Sequence, residues 1–224
     1  MTRNSVGLAS LLVVATLAAA AIVGGMAMPD GIQLPTHWGI NGEPDAFADK
    51  WTALLMPVGL VAGVSLLFYF LPSLEPRREG LARSQGLYLW GWIALLMVGA
   101  VIQLALLSTG LGWGIPVNHL IIGAVGVMLV LIGNQLGKSR SMYLIGIRTP
   151  WTLASEEVWI KTHRLCGKLM VLGGLAMVAA AMLPLPSGLL ATVAIAVIVV
   201  AAGVPILYSF IAWRRERRAD QARG

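Results

Sequence analysis

Six long apolar segments constrain the fold of this 224-residue chain more than any other feature of its sequence. A helix needs about 20 mostly apolar residues to cross the hydrocarbon core of a bilayer, which is roughly 30 Å thick. Helices are expected rather than strands, because a helix in lipid satisfies its own backbone hydrogen bonds. The segments cover residues 6–28, 52–72, 86–109, 116–134, 165–184 and 188–212. The sequence therefore predicts an all-α polytopic membrane protein with six transmembrane helices.

The first apolar segment has some features of a signal peptide, since Arg3 precedes it and small residues lie near its end. Its apolar run of about 20 residues is longer than the roughly 7–15 residues of a signal-peptide core. We therefore expect it to form the first transmembrane helix.

The distribution of positive charge predicts the orientation. An even number of spans places both termini on the same side of the membrane. If that side is the cytoplasm, 15 of the 16 Lys and Arg residues lie inside and only Lys50 lies outside. We therefore expect both termini to be cytoplasmic. Basic residues at that face also favour anionic headgroups, so membrane lipids are expected partners. The basic tail after residue 212 is expected to anchor the last helix rather than to bind nucleic acid.

The connection 29–51 carries almost all of the polar residues on the predicted outer face. Asn41-Gly42 predicts a turn, because both residues tolerate positive φ. One interpretation is a rigid turn at the membrane surface, with Trp38 and Trp51 at the interface and Lys50 snorkelling towards it. The other is recognition of an external ligand, either a peptide or a cation. The candidate recognition residues are His37, Trp38, Asn41, Gly42, Glu43, Asp45 and Lys50.

A metal site in this connection is a further alternative. His37 and Asp45 are chemically suitable ligands, and His119 near the outer end of the fourth span could join them. These residues do not form a specific metal-ligand spacing, so the sequence leaves metal binding open. No cofactor is predicted.

The inner connection between the fourth and fifth spans ends in a predicted helix. Ser155 is a suitable N-cap and two glutamates follow it in the first turn, where carboxylates complement the helix dipole. Helical spacing then places Trp159, His163, Cys166 and Met170 on one face and Glu157, Lys161, Arg164 and Lys168 on the other. We expect the aromatic face to point towards the other helices and this helix to continue into the fifth span.

Two stretches resemble a known family. GNQLGKSRSMYLIGIRTPWTLASEEVWIKTHRLCGK (133–168) resembles the SdpI family of bacterial membrane proteins. LPTHWGINGEPDAFADKW (34–51) resembles the module usually fused before it. The resemblance divides the chain into a two-helix module, 1–85, and a four-helix module, 86–224. One departure is visible, because this chain has Ser141 and Met142 where family members often carry Pro-Asn.

The resemblance implies a function. The best-known family member gives immunity to a secreted killing peptide and is thought to hold a transcriptional repressor at the membrane. By resemblance, this chain is expected to be an immunity or sensor protein of the bacterial cytoplasmic membrane. Its expected partners are a secreted toxin peptide at the outer connection and a cytoplasmic repressor or other protein at the inner motif.

The inner motif also has two interpretations. It could be a re-entrant or interfacial segment pinned by tryptophans, with Arg148 paired to Glu156 or Glu157 and Asn134 supplying hydrogen bonds. It could instead be a docking surface for a partner, or couple outer binding to an inner output. Its candidate residues are Asn134, Gly146, Arg148, Thr149, Pro150, Trp151, Thr152, Trp159, His163 and Arg164.

Two other functional classes are less well supported by the sequence. No HExxH motif, one-sided Ser-His-Asp set or phosphate-binding loop occurs, so an enzyme is not expected. A small-molecule or lipid-linked transporter is the alternative function, although the spans contain few ionisable residues. Small-residue spacings at Gly59 and Gly63 and at Gly133 and Gly137 are expected to serve intrachain packing, and the oligomeric state stays open.

Overall fold

Six long helices form the body of the molecule, and the computed structural model describes residues 2–39 and 41–222. Each is long and apolar enough to cross a membrane, so the prediction of an all-α polytopic membrane protein is confirmed. In chain order the elements are α1 (Arg3–Ala27), β1 (Gln33–Trp38), β2 (Pro44–Asp49), α2 (Lys50–Leu74), α3 (Arg78–Arg83), α4 (Gln85–Leu111), α5 (Val117–Leu136), α6 (Pro150–Ala154), α7 (Glu156–Ala181) and α8 (Ser187–Gln221).

The bundle has two different ends. The antiparallel strands β1 and β2 form a hairpin that contacts the start of α2 and the end of α4. We call this end of the bundle the hairpin end. The opposite end carries α3, the loop 138–149, α6 and the basic tail of α8, and we call it the basic end. The sequence did not predict the hairpin strands, α3 or α6.

Helix α7 begins where its capping residue predicts. The Ser155 side chain accepts a hydrogen bond from the Val158 N–H at 3.2 Å, so the predicted N-cap is confirmed. The helix therefore starts well before the apolar segment 165–184 and runs from polar surroundings into the bundle. The predicted inward face is also confirmed at Trp159, His163 and Cys166, which are buried.

Helices α5 and α7 touch backbone to backbone. A Cβ atom at Gly133 would lie 2.8 Å from the Gly167 carbonyl oxygen, and one at Gly126 would lie 2.7 Å from that of Gly174. Any side chain at these positions would force the helices apart, which is the packing use of glycine in membrane bundles. The predicted intrachain role of Gly133 is therefore confirmed.

The other glycine spacing behaves differently. Cβ atoms at Gly59 and Gly63 would meet nothing within 4 Å, because this face of α2 points away from the bundle. The prediction that this spacing packs another helix of the same chain is wrong.

A buried core joins both parts of the chain. Val6 of α1, Val61 of α2 and Trp92 of α4 belong to the same cluster as Met142 and Trp159. This cluster crosses residue 85, where the resemblance divides the chain. The division into 1–85 and 86–224 stays a prediction.

Candidate functional site

The hairpin is closed by the predicted turn. Gly42 has a φ of +77°, and its N–H donates to the Gly39 carbonyl at 2.9 Å. The Gly39 N–H donates in turn to the Glu43 carbonyl at 2.8 Å, and the Asn41 side-chain oxygen accepts from the Glu43 N–H at 3.1 Å. The Asn41-Gly42 turn is therefore confirmed. Asn41 acts within the turn, and the Glu43 side chain is exposed beside it.

His37 and Asp45 face each other across the two strands. The distance from His37 Nδ1 to Asp45 Oδ1 is 2.5 Å, and the two side chains are 69% and 51% exposed. An exposed polar contact of this kind contributes only about 0–1 kcal/mol to stability. The structure thus brings together two of the predicted recognition residues in a place where a ligand can reach both.

A cleft of about 510 Å³ lies beside this pair, between the hairpin and the first turns of α5 and α8. We call it the hairpin cleft. Its rim is polar and includes His37, Asp45 and Asn118. The apolar residues deeper in it are Ile121, Ile122, Ala191, Ala194 and Ile195. A concave site with an apolar floor and a few polar groups at its edge suits an amphipathic ligand.

The hairpin is fixed over this cleft by the helices below it. Asn118 Nδ2 donates to the Gly42 carbonyl at 2.6 Å. A Cβ atom at Gly42 would lie 2.7 Å from backbone atoms of Ser187, so glycine is required there by close approach as well as by its positive φ. The turn therefore rests on the N-terminal ends of α5 and α8.

Trp38 lines the hairpin cleft and also a neighbouring cavity of about 340 Å³, which contains His119. His119 thus lines the neighbouring cavity and not the hairpin cleft. Among residues 2–39 and 41–222, no group of three or more His, Cys, Asp or Glu side chains could hold a metal ion. The candidate ligands His37, Asp45 and His119 are not assembled into such a group.

Lys50 has a different role from the predicted one. Its side chain is buried, and Nζ donates to the Met28 carbonyl at 3.0 Å, the Pro29 carbonyl at 3.3 Å and the Asp30 carboxylate at 2.8 Å. The prediction that Lys50 snorkels is therefore wrong, because the chain leaving α1 presents oxygen acceptors beside the start of α2. Lys50 joins these two helices and does not line the hairpin cleft.

Two carboxylates near the hairpin, those of Asp30 and Asp49, have lowered pKa values. The hydrogen bond from Lys50, together with its charge, holds the pKa of Asp30 below the usual value. Asp49 caps α2, with its Oδ1 accepting from the N–H groups of Trp51 and Thr52 at 3.1 Å each. Hydrogen bonds from Thr52 and then Trp51 lower the pKa of Asp49 as well.

At the basic end, the inner motif is built around a buried ring pair. The Trp159 and His163 rings stack with centroids 3.9 Å apart. The Ile147 N–H donates to His163 Nε2 at 2.9 Å, and His163 Nδ1 lies 2.8 Å from the Trp159 carbonyl. Because Nε2 accepts, the ring is neutral and carries its proton on Nδ1. Gly146 approaches the pair with a φ of +119°, and a Cβ there would lie 2.6 Å from Nε2.

The Thr-Pro-Trp-Thr part of the motif forms α6 and docks on α8. Thr149 and Thr152 form a capping box, and Pro150 occupies the first helical position, where its missing N–H costs nothing. Thr152 Oγ1 donates to the Ile147 carbonyl at 2.8 Å. Trp151 Nε1 donates to Ser209 Oγ at 2.5 Å, and its ring packs on aromatic side chains of α8. These residues hold the loop 138–149 in place.

Glu75 and Arg77 also hold the loop 138–149, and the sequence did not predict this role for either residue. Glu75 is 1% exposed, and its carboxylate accepts from the N–H groups of Arg77 at 2.9 Å, Tyr143 at 2.9 Å and Leu144 at 2.8 Å. Arg77 donates to Ser141 Oγ and stacks 4.6 Å from the centroid of the Tyr143 ring. The available signal was Glu75 followed directly by a proline, at the start of a connection that is rich in arginine.

The family departure at Ser141 and Met142 is accommodated within the same contacts. Ser141 Oγ accepts the bond from Arg77, and Met142 is fully buried in the core.

The remaining residues of the inner motif, Asn134, Arg148 and Arg164, are exposed. Arg148 Nη1 donates to the Tyr143 carbonyl at 2.7 Å. Glu156 instead lies 3.8 Å from Arg140 and accepts from the Ser141 N–H. The pairing of Arg148 with Glu156, one of its two predicted partners, is therefore wrong. The other, Glu157, pairs with Lys161 at 2.5 Å.

Asn134 also differs from its prediction. It does not reach into the loop but faces a separate cleft between α5 and α7, together with Arg164.

Comparison with known proteins gives one match that includes the inner motif and another that includes the hairpin. Residues 138–209 match the SdpI/YfhL protein family, and residues 11–61 match a domain of unknown function, DUF1648. The resemblance to the SdpI family is confirmed. The SdpI match begins at the loop 138–149 and ends at Ser209, the residue that accepts from Trp151. The hairpin residues that line the hairpin cleft, including His37 and Asp45, lie within the residues that match DUF1648.

A named relative supports the same family. Over 143 residues the chain is 29% identical to the immunity protein SdpI of Bacillus subtilis (strain 168). This alignment covers 63% of the present chain and 66% of that protein, so the match spans just under two thirds of the relative's length. No solved structure matches the chain.

Proposed function

We propose that the protein is a non-enzymatic immunity protein of the bacterial cytoplasmic membrane, which binds a secreted antimicrobial peptide in the hairpin cleft. The observation that carries this proposal is the exposed His37–Asp45 pair at the rim of a cleft with an apolar floor. Similarity to the immunity protein SdpI supports the immunity role. The positive-inside distribution of Lys and Arg favours an orientation with the basic end in the cytoplasm and the cleft outside.

The chemistry of the cleft suits a peptide that kills by entering membranes. Such a peptide needs apolar side chains, which Ile121, Ile122 and Ile195 can receive. His37 can donate a hydrogen bond to the peptide and the Asp45 carboxylate can accept one. Little stability is lost if a ligand separates the two side chains. Binding at this position would hold the peptide at the membrane surface, before it inserts.

We further propose that the basic end signals by docking a cytoplasmic protein. Tyr143, Leu144 and Arg148 are exposed side chains on a loop whose backbone is held by Glu75 and His163. A rigid loop with exposed aromatic, apolar and basic side chains can serve as a docking surface for a cytoplasmic protein such as a repressor. Leu144→Asp should abolish that docking without changing the hairpin cleft.

The immunity proposal is tested by expressing the protein in a strain sensitive to a secreted killing peptide. The wild-type chain should raise the peptide concentration needed to inhibit growth, and His37→Ala or Asp45→Ala should remove at least about tenfold of that protection. Glu79→Ala is the matched control, since Glu79 is an exposed acid at the basic end. Full protection by both cleft variants would contradict the proposal.

One observation favours transport as the second candidate. Gln103 of α4 is 1% exposed, and within the described residues neither its amide nitrogen nor its oxygen has a hydrogen-bond partner. A polar group in the middle of a membrane bundle is costly and is a common mark of a substrate or proton pathway. Flux measured in proteoliposomes separates the two functions, because Gln103→Leu should abolish transport and leave peptide immunity unchanged.

A further inference from the structure

A second cleft lies at the basic end, between the end of α5 and α7. We call it the α5–α7 cleft. Its volume is about 440 Å³, and the polar side chains that line it are Asn134, Lys138, Arg164 and Lys168. The backbone contact between Gly133 and Gly167 forms its floor, since neither residue has a side chain to fill the space. The glycine packing thus leaves an open groove beneath three cations.

In the described part of the chain, none of these three cations is paired with an acidic side chain. Across the described chain, no carboxylate oxygen lies within 4.0 Å of a side-chain nitrogen of Lys138, Arg164 or Lys168. Lys161 on the same helix differs, because it pairs with Glu157 at 2.5 Å. Like charges that line one cleft repel each other, and an anion bound between them relieves that repulsion. The unpaired cations therefore indicate an anionic ligand.

The geometry holds the cations close together. A Cβ at Gly137 would lie 3.4 Å from Arg164 Cα, so the end of α5 rests against this turn of α7 and brings Lys138 to it. Arg164 and Lys168 are one helical turn apart on the same face of α7. An arginine can bind two oxygens of one phosphate, while the lysines add charge around it.

The cleft changes from charged to apolar along α7. Val171 and Leu172 follow Lys168 and line the deeper part, and Leu172 is 65% exposed on a segment that crosses the membrane. A phospholipid has the same order of chemistry, with a charged phosphate at the surface and apolar chains below. Basic pockets between membrane helices are known sites for such headgroups.

We propose that the α5–α7 cleft binds the phosphate group of an anionic phospholipid. A soluble phosphate ester carries the same chemistry and is the other source that the experiment must separate. The cleft lies at the opposite end of the bundle from the hairpin cleft, so this proposal is independent of the immunity function.

The test uses the full chain, purified in a neutral detergent and stripped of lipid, with phosphatidylglycerol as the probe. Native mass spectrometry or a thermal-shift titration gives the affinity of the wild type and of the triple variant Lys138→Gln, Arg164→Gln, Lys168→Gln. The triple variant should bind phosphatidylglycerol at least about tenfold more weakly, because each basic residue near an anionic headgroup adds to binding. Phosphatidylcholine, which has no net charge, should bind both proteins weakly.

The matched control is the triple variant Arg78→Gln, Arg83→Gln, Arg218→Gln. It removes the same charge from exposed positions at the same end, but none of these residues lines the cleft. Its affinity should change by less than about twofold if binding is local rather than a general charge effect. Equal losses in the two triple variants, or no loss in the cleft variant, would overturn the proposal.

A second variant tests the cleft without changing charge and remains informative if the triple variant does not fold. Asn134→Trp places a large ring in the groove at an exposed position and should weaken phosphatidylglycerol binding at least about fivefold. Unchanged binding by this variant would also overturn the proposal. Glycerol 3-phosphate separates the sources: a lipid site leaves phosphatidylglycerol bound in its presence, whereas equal competition assigns the cleft to soluble phosphate esters.

Discussion

The two polar regions of this protein use their side chains in opposite ways. At the hairpin end, His37 and Asp45 are exposed and bonded to each other. At the basic end, Glu75 and His163 are buried and bonded to the backbone of the loop 138–149. The buried residues of the longer motif are therefore mainly structural, while the shorter motif leaves two polar side chains exposed, as the proposed peptide site requires.

The largest expected effect on stability is at Glu75, at the basic end. Glu75→Ala removes the acceptor of three backbone N–H groups in a buried position. Bonds to a charged acceptor are worth about 1.5–3 kcal/mol each, and losses within one network are not additive, so we expect about 3–5 kcal/mol of destabilisation. Thermal unfolding in detergent measures it. Glu79→Ala, at an exposed position, should cost less than about 0.5 kcal/mol. Similar stability of both variants would contradict a structural role for Glu75.

A somewhat smaller effect is expected at Gly146. Gly146→Ala places a methyl group 2.6 Å from His163 Nε2 on a backbone with a φ of +119°. Left-handed strain of about 1–2 kcal/mol and overpacking of about 1–3 kcal/mol act together. Gly31→Ala is the matched control, because Gly31 has a φ of +76° and an open environment. The difference between the two melting shifts isolates the contact with His163. Equal shifts would show that the ring pair does not resist the methyl group.

The Asp30–Lys50 bond gives a pH-dependent test at the hairpin end. Because the pKa of Asp30 is lowered from its ordinary value of 3.8, the bond stabilises the protein above that pH. The contribution is lost as the pH falls below about 4 and Asp30 becomes protonated. The wild type should therefore lose more thermal stability between pH 6 and pH 3 than Asp30→Asn does. Parallel pH profiles for the two proteins would argue against this bond.

The smallest effect on stability is expected at the His37–Asp45 pair. His37→Ala and Asp45→Ala should change the free energy of unfolding by less than about 0.5 kcal/mol, because both side chains are exposed. The same variants should lose peptide immunity, so stability and function separate at this end of the molecule. A destabilisation as large as that of Glu75→Ala would make the pair structural and remove the contrast between the two ends.

Local sequence signals predicted the local structure. Apolar length gave the six helices, Ser155 gave the start of α7, and Asn41-Gly42 gave the turn. The inward face of α7 followed from helical spacing. The hairpin strands were missed because Pro35 and Pro44 obscure the alternating pattern of a strand.

Contacts between distant residues could not be predicted in the same way. Glu75 bonds to N–H groups that lie 68 and 69 residues further along the chain, and no periodicity links them. The burial of Lys50 depends on where the chain leaves α1, which composition does not specify. The orientation in the membrane and the two-module division remain predictions from charge and resemblance.

The glycine contact between α5 and α7 has a mechanical consequence. Asn118 at the start of α5 holds the hairpin turn, and the start of α7 carries the Trp159–His163 stack. Where Gly126 meets Gly174, no side chain separates the backbones. At these glycines a displacement of one helix meets the backbone of the other and not a side chain that could change rotamer, so we expect α5 and α7 to move together. A force on the hairpin turn is therefore expected to reach the opposite end of the bundle as a tilt of both helices.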